Sequence, residues 1–193
     1  YEIDIVHAHS LYYGYLASFM KRDVKLVFTP MGSDVILNAQ EKIVHRHMAF
    51  KAFRKADIIT GDSLLLQKQG FKVGADDSSN HIIQNGVDSD IFFPKANDLR
   101  QQYAIINNEI LIFSPRAITP LYNIDIILQA VKQLVDRGHK VKCMLCFAFG
   151  DKYSGQLKKQ AQELKIADHI LWLGYLNYEN MAKHFNAADI VVS

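Results

Sequence analysis

Short apolar runs and segments of helical period alternate along the whole chain. Residues 3–6 form an apolar run ending in His7-Ala8-His9, and Leu11 to Met20 follows with small and aromatic residues at helical spacing. Val24 to Thr29 is a second run, ending in Pro30-Met31-Gly32-Ser33-Asp34, and a long helix is predicted over about residues 38–55. Ile58-Ile59-Thr60 reads as a third strand, and Ser63 stands as the N-cap of a helix over 64–70 that Gly70 would end. A polar stretch from Gly74 to Asn80 leads to a fourth strand at Ile82-Ile83. After Pro94 the cycle restarts with the strand Ile110 to Phe113 and a loop holding Arg116 and Pro120. Ile124, Ile127, Leu128, Val131, Leu134 and Val135 then share one helical face, with Gly138 placed to close that helix. Lys140–Phe149, His169–Leu173 and Ile190–Val192 read as strands, separated by helices over 155–166 and 178–186.

Strands alternating with helices of this length imply right-handed βαβ units and parallel sheets. The fold class is α/β, and no internal repeat or low-complexity tract interrupts it. The break near residues 86–100 divides the chain into parts, residues 1–90 and 91–193.

Composition narrows the function classes. A net charge of +2 does not fit a general nucleic-acid binder. Cys143 and Cys146 lie in a strand, so alternation sends their thiols to opposite faces, an arrangement suiting neither a metal nor a redox pair. They read as two buried thiols in a reducing cytosol. No signal peptide is visible, and no apolar run approaches the ~18 residues of a membrane span. The chain begins at Tyr1 and stops directly after Ile190-Val191-Val192, which reads as a piece cut at both ends.

Ligands of open parallel sheets gather at the carboxyl ends of the strands. His7 and His9, two apart, point to the same side there, where either imidazole can bond a sugar hydroxyl or phosphate, or a backbone carbonyl. Gly32 lets a ligand approach the backbone, and Asp34 serves either sugar hydroxyls or a helix start, as Ser33 does. Arg116 offers a planar fork suited to phosphate, beside the helix beginning near Asn123. Gly174 ends a strand, where backbone groups of Gly174, Tyr175 and Leu176 suit a planar base or make a simple turn. His47, Lys51, Arg54 and Lys55 form a basic stripe on the helix over 38–55, which faces either a phosphorylated lipid at a membrane or plain solvent.

A series of segments then stands out in order: Asp4 to His9, Gly32-Ser33-Asp34, Ala56 to Thr60, and Asn85-Gly86-Val87-Asp88 running to Phe92 and Pro94. Arg116, Gly150-Asp151, Trp172 to Leu176 and Ala187 to Ser193 complete it. In order and spacing the series resembles glycosyltransferase family 4, the retaining, sugar-nucleotide-dependent enzymes of GT-B fold. The resemblance implies parts of two Rossmann-like domains facing one another across an active cleft. It implies transfer of a sugar from a nucleotide-diphosphate sugar to a glycan or lipid-linked acceptor, in cell-surface polysaccharide synthesis. Arg116, Tyr122, Gly150, Gly174, Tyr175 and Leu176 would bind the donor, and His9, Gly32, Ser33 and Asp34 the acceptor. Arg116 and Asp34 would be catalytic. The leaving diphosphate would take the acceptor's proton, so neither a metal nor a cofactor is expected. The location implied is cytoplasmic, with peripheral contact to the inner membrane.

The sequence departs from the family at three places. Met31 stands where a histidine is expected, and Tyr122-Asn123 where the family has Lys-Gly. The family's paired glutamates would fall beyond Ser193. Missing strands would leave sheet edges open, which predicts self-association, through strand exchange. Two further readings stay open: a degenerate domain that binds glycan or nucleotide without catalysis, and a sugar-nucleotide epimerase on the same fold.

Overall fold

The structure is a computed structural model that describes residues 2–21, 23–146 and 152–193. The chain divides into two compact units, Tyr1–Gly86 and Val87–Ser193.

In the first unit the elements run β1 (Ile5–His9), α1 (Leu11–Ala17), β2 (Lys25–Thr29), a π-helical turn (Asp34–Asn38), α2 (Ala39–Glu41), α3 (Ile43–Lys55), β3 (Ile58–Gly61), α4 (Leu64–Lys72) and β4 (Asn80–Ile82). The strands form one parallel sheet in the order β1-β2-β3-β4. Alternation decides which side is packed. Ala8, Leu26, Phe28 and Ile59 point to the face on which α1, α3 and α4 lay Leu11, Ala49, Ala52, Phe53 and Leu66. Gly14 lets α1 come close: a Cβ there would stand 2.4 Å from the Phe28 ring.

The predicted helix over 38–55 is interrupted. Lys42 is extended, with φ −114° and ψ 119°, so α2 and α3 are separate helices behind the π-helical turn. Gly70 does not end its helix. It lies buried inside α4, where a Cβ would meet Asn80 and Phe53 at 3.2 Å, and the left-handed residue is Gly74, at φ +100°. Ser63 does cap α4, its hydroxyl accepting from the Leu66 N–H at 3.3 Å.

The second unit runs α5 (Leu99–Gln102), β5 (Ile110–Ser114), α6 (Ile124–Asp136), β6 (Val141–Leu145), α7 (Lys152–Glu163), β7 (Ile170–Trp172), α8 (Tyr178–Ala187) and β8 (Ile190–Val191). Its sheet is parallel, in the order β7-β6-β5-β8. Both faces are packed. Ile112, Cys143 and Leu145 meet Ile124, Leu128 and Val131 of α6, while Leu111, Phe113, Met144 and Cys146 meet Leu99 and α8. Cys143 and Cys146 therefore fall in opposite layers, as strand alternation requires, and burial pushes both thiols up to about 12. Strand β6 ends at Leu145, and the remainder of the run to Phe149 falls partly outside the described residues.

One device occurs in both units. The Asp57 N–H donates to the Leu26 carbonyl at 2.9 Å while its carboxylate accepts from the Leu26 N–H at 2.9 Å. Asp189 does the same with Leu111, at 2.9 and 2.7 Å. Each carboxylate also meets a cation at 3.0 Å, Lys25 for Asp57 and Arg100 for Asp189. A backbone pair that an antiparallel sheet would supply by strand pairing is thus made by a side chain at the start of a parallel strand. These bonds and Lys25 hold the Asp57 carboxyl below its ordinary value. For Asp189, burial works in the opposite direction, and the Leu111 N–H with Arg100 outweighs it.

Candidate functional site

In the first unit the candidate residues gather at the carboxyl ends of β1 and β2. His7 and His9 belong to β1 itself rather than to the loop after it, and their rings lie 4.1 Å apart on one side of the strand. His7 Nε2 lies 2.8 Å from the Thr29 hydroxyl, which in turn meets the Thr60 hydroxyl on β3. Burial and the neighbouring His9 lower the His7 pKa. The result is a polar row across the strand ends, with the His9 ring exposed at its edge.

Asp34 organises the loop beside that row. Its carboxylate accepts from the Leu11 N–H at 2.7 Å, from the Met31 N–H at 3.1 and 3.2 Å, and from the Val35 N–H at 3.0 Å. Leu11 opens α1, so a negative group sits where that helix presents unpaired N–H groups. Asp34 thereby ties the loop after β2 to the loop after β1. Gly32, at φ +98° and with nothing within 4 Å of a would-be Cβ, leaves its backbone open to a ligand. Ser33 is exposed, and its hydroxyl makes no capping bond. Ser10 takes φ 70° and ψ 156°, a region nearly reserved for glycine, and its N–H donates to the Thr29 carbonyl at 2.9 Å. Nothing in the local sequence announces that strain.

In the second unit Arg116 lies two residues past β5, on a loop anchored by buried Ile118. Its Nε donates to the Ser193 hydroxyl at 2.7 Å, and its guanidinium lies over the Tyr122 ring, 5.1 Å from the centroid. The Nη groups make no hydrogen bond to protein among the described residues. Asn123 follows at φ 49°, in the left-handed region, and no side chain caps the N-terminus of the α6 helix behind it. The Lys-Gly pair of the resembled family is thus replaced by an aromatic that stacks on the arginine and by the residue after glycine most tolerant of a positive φ. The geometry offers an anion one fixed, outward guanidinium edge and the free N–H groups of a helix start.

Gly174 and Tyr175 are exposed at the end of β7, and Leu176 packs into the core beside Phe113. Gly150 lies outside the described residues. Among the described residues, no group of three or more His, Cys, Asp or Glu side chains is placed to hold a metal ion, and no helix is long and apolar enough to cross a membrane. Ser10 was given no role by the sequence, and Ser193 entered only as the end of a family-like segment. Ser193 meets Arg116 across 77 residues, a separation that leaves no local signal.

Residues 95–193 match the family model described as glycosyl transferases group 1, and residues 1–63 match glycosyl transferase 4-like. A curated relative, alpha-monoglucosyldiacylglycerol synthase of Streptococcus pneumoniae, is 31% identical over 96 residues, covering 50% of this chain and 21% of its own. Among solved structures, Anabaena HepE in complex with UDP and glucose superposes with a TM-score of 0.81 at 23% identity, covering 97% of this chain and 52% of its own. Sucrose-phosphate synthase from Thermosynechococcus elongatus gives 0.77 at 16% identity, covering 97% and 49%. The chain thus spans about half the length of these structures, and its two parallel-sheet units have the GT-B fold they share.

Proposed function

We propose, from the premise that this chain belongs to the glycosyl transferases group 1 family, that it takes part in moving a sugar from a nucleotide-diphosphate sugar to an acceptor. The observation that carries this reading is Arg116, held at Nε by Ser193 and on its face by Tyr122, with its remaining donors open beside the start of α6. A diphosphate needs a planar donor fork and unpaired N–H groups, and both occur together there. Glycosyl transfer accumulates negative charge on the departing diphosphate, so a fixed cation at that point lowers the barrier by stabilising charge and alignment.

In this reading Gly174, Tyr175 and Leu176 lie toward the nucleoside, and Tyr122 acts through Arg116. His9, Gly32 and Ser33 face the acceptor, a glycan or lipid-linked glycan, and Asp34 acts by setting their loop. Transfer proceeds with retention, the diphosphate oxygen taking the acceptor's proton as the new bond forms. Complexes with UDP or UDP-glucose among structural relatives support a nucleotide sugar as donor. A domain that binds nucleotide without turnover is the second reading, because Tyr122 is neutral where the family has a lysine.

Titration calorimetry of the intact protein with UDP, GDP and ADP tests the site. Arg116→Ala should weaken the nucleotide that binds by about tenfold to a hundredfold, the equivalent of a charged hydrogen bond. Equal affinity in the variant, or glycan binding with no nucleotide binding, would refute the assignment. Binding without sugar transfer would select the second reading.

A further inference from the structure

Strands β5 and β6 run parallel with Ser114 and Leu145 in register, so the chain leaves both from one end of the sheet. After β5 it reaches Arg116 within two residues and then α6, and after β6 it enters α7 at Lys152. The two helices lie on the same face. Ile124, Leu128 and Val131 of α6 and Leu157 and Ala161 of α7 share one core, with Tyr122 and Tyr153 packed against it. Burial and the Asp125 carboxylate raise the Tyr153 pKa, so the first turn of α7 stands beside the first turn of α6.

Lys152 is a poor residue for that position on structural grounds. The start of a helix favours a negative side chain, yet the first turn of α7 has no acidic residue and opens on a lysine. Lys152 is exposed, and among the described residues no ion pair engages it. Two other lysines of α7 have partners: Lys158 lies over the Trp172 ring, and Lys159 pairs with Glu163. Ser114 is a second anomaly at this end of the sheet. It falls on the side of β5 that Ile112 presents to α6, and it is fully buried. Among the described residues its hydroxyl has no hydrogen-bond partner. A buried hydroxyl kept unpaired is costly to the fold.

An anion bound here accounts for both. Arg116 supplies one positive charge, and Asp125 in the first turn of α6 offsets part of what that helix start offers. A diphosphate carries more than one negative charge, so a second cation improves the match. Lysine brings a compact charge on a flexible stem, suited to reaching across from a neighbouring loop. We propose that Lys152 is a second phosphate-binding residue of the donor site, its ammonium facing Arg116 across the diphosphate, with the Ser114 hydroxyl beneath. The inference rests on the sugar-transfer reading and adds to it a contact from a separate loop. As the sugar departs the diphosphate gains charge, and the same ammonium stabilises it.

The test is titration calorimetry of the intact protein with UDP, GDP and ADP at low and high salt. Lys152→Met keeps the stem and removes the charge. It should weaken the diphosphate that binds about tenfold and flatten the salt dependence of binding. Lys152→Arg should hold affinity within about twofold. Lys159→Ala, about two turns along the same helix, should change neither quantity. Both positions are exposed, so thermal midpoints equal to the parent's check the fold. Lys152→Met binding like the parent while Arg116→Ala binds weakly would overturn this inference and leave the sugar-transfer reading standing. Equal losses in Lys152→Met and Lys152→Arg would overturn it as an effect of the helix start, and an equal loss in Lys159→Ala as an effect of the general field. Failure of every nucleoside diphosphate to bind would end both.

Discussion

Replacing Asp34 tests whether the loop between β2 and the π-helical turn is held in place by one side chain. Asp34→Ala deletes the acceptor for the N–H groups of Leu11, Met31 and Val35. The Leu11 bond is the shortest, 2.7 Å, and lies beneath a side chain that is almost fully buried. As a hydrogen bond to a charged acceptor it contributes about 2 kcal/mol. Met31 is exposed, so its N–H can turn to water, and the Val35 N–H keeps a second acceptor in the Gly32 carbonyl at 3.0 Å. Together these add about 1 kcal/mol more. The expected loss is therefore about 3 kcal/mol in the first unit, and about half that for Asp34→Asn, which keeps one oxygen for Leu11. Ser10 refines the test. Its backbone holds a conformation that costs roughly 1–3 kcal/mol, and the Leu11–Asp34 bond is what keeps the next residue in place. Ser10→Gly should therefore stabilise the parent by about 1 kcal/mol and the Asp34→Ala variant by less, because the released loop relaxes the strain itself. Hydrogen exchange read on peptides covering Leu11–Ala17 reports this unit alone. Exchange should accelerate about a hundredfold in Asp34→Ala. Protection within a factor of two of the parent, or strict additivity in the double variant, would refute the reasoning.

Gly14→Ala should destabilise the first unit by about 1–2 kcal/mol despite the better helix propensity of alanine, since its Cβ would strike the ring of fully buried Phe28, itself wedged against Phe53. A urea midpoint equal to or above the parent's would count against this. In acid, Asp57 and Asp189 should each withdraw support. Their folded pKa values lie below the ordinary 3.8, so that stability is present above 3.8 and lost as pH falls through the lowered value. Asp189→Asn should flatten this part of the pH profile of unfolding, and an unchanged profile would contradict it. His184 acts in a higher window. Burial keeps its imidazole neutral between Phe113 and Tyr103, so the unfolded chain gains a proton near 6.5 that the folded one refuses. Stability should drop as pH falls below 6.5 and level off below the folded value, and His184→Phe should remove that step. Tyr122→Phe should preserve nucleotide affinity because the stacking ring remains, whereas Tyr122→Ala should reduce it severalfold at an unchanged melting point. Equal losses in both variants would argue against an orienting ring.

The legible parts were those with a short-range cause. The face of α6 could be read from apolar spacing, the opposite layers of Cys143 and Cys146 from strand alternation, and the Ser63 cap from one hydroxyl before an apolar run. Lys42 gave no warning of the break between α2 and α3, because it has neither the ring of proline nor the freedom of glycine. Gly70 looked like a terminator, and only the crowding a Cβ would meet there, from Asn80 and Phe53 at 3.2 Å, shows why a residue without a side chain fits inside the helix. At the candidate sites, residue type suggested Arg116 and Asp34. What each side chain touches came from partners far along the chain, Ser193 for one and Leu11 for the other. The first candidate gains a fixed direction from its partner, and the second turns from a free carboxylate into a brace.

The placement of Cys143 and Cys146 gives the second unit a pair of internal sentinels. Each thiol is sealed in its own layer of side chains, one on either side of β6. An alkylating reagent can reach Cys143 only when the α6 side breathes, and Cys146 only when the α8 side does. Mass spectrometry after a timed pulse of reagent would therefore clock the two halves of this domain separately, with no engineered label.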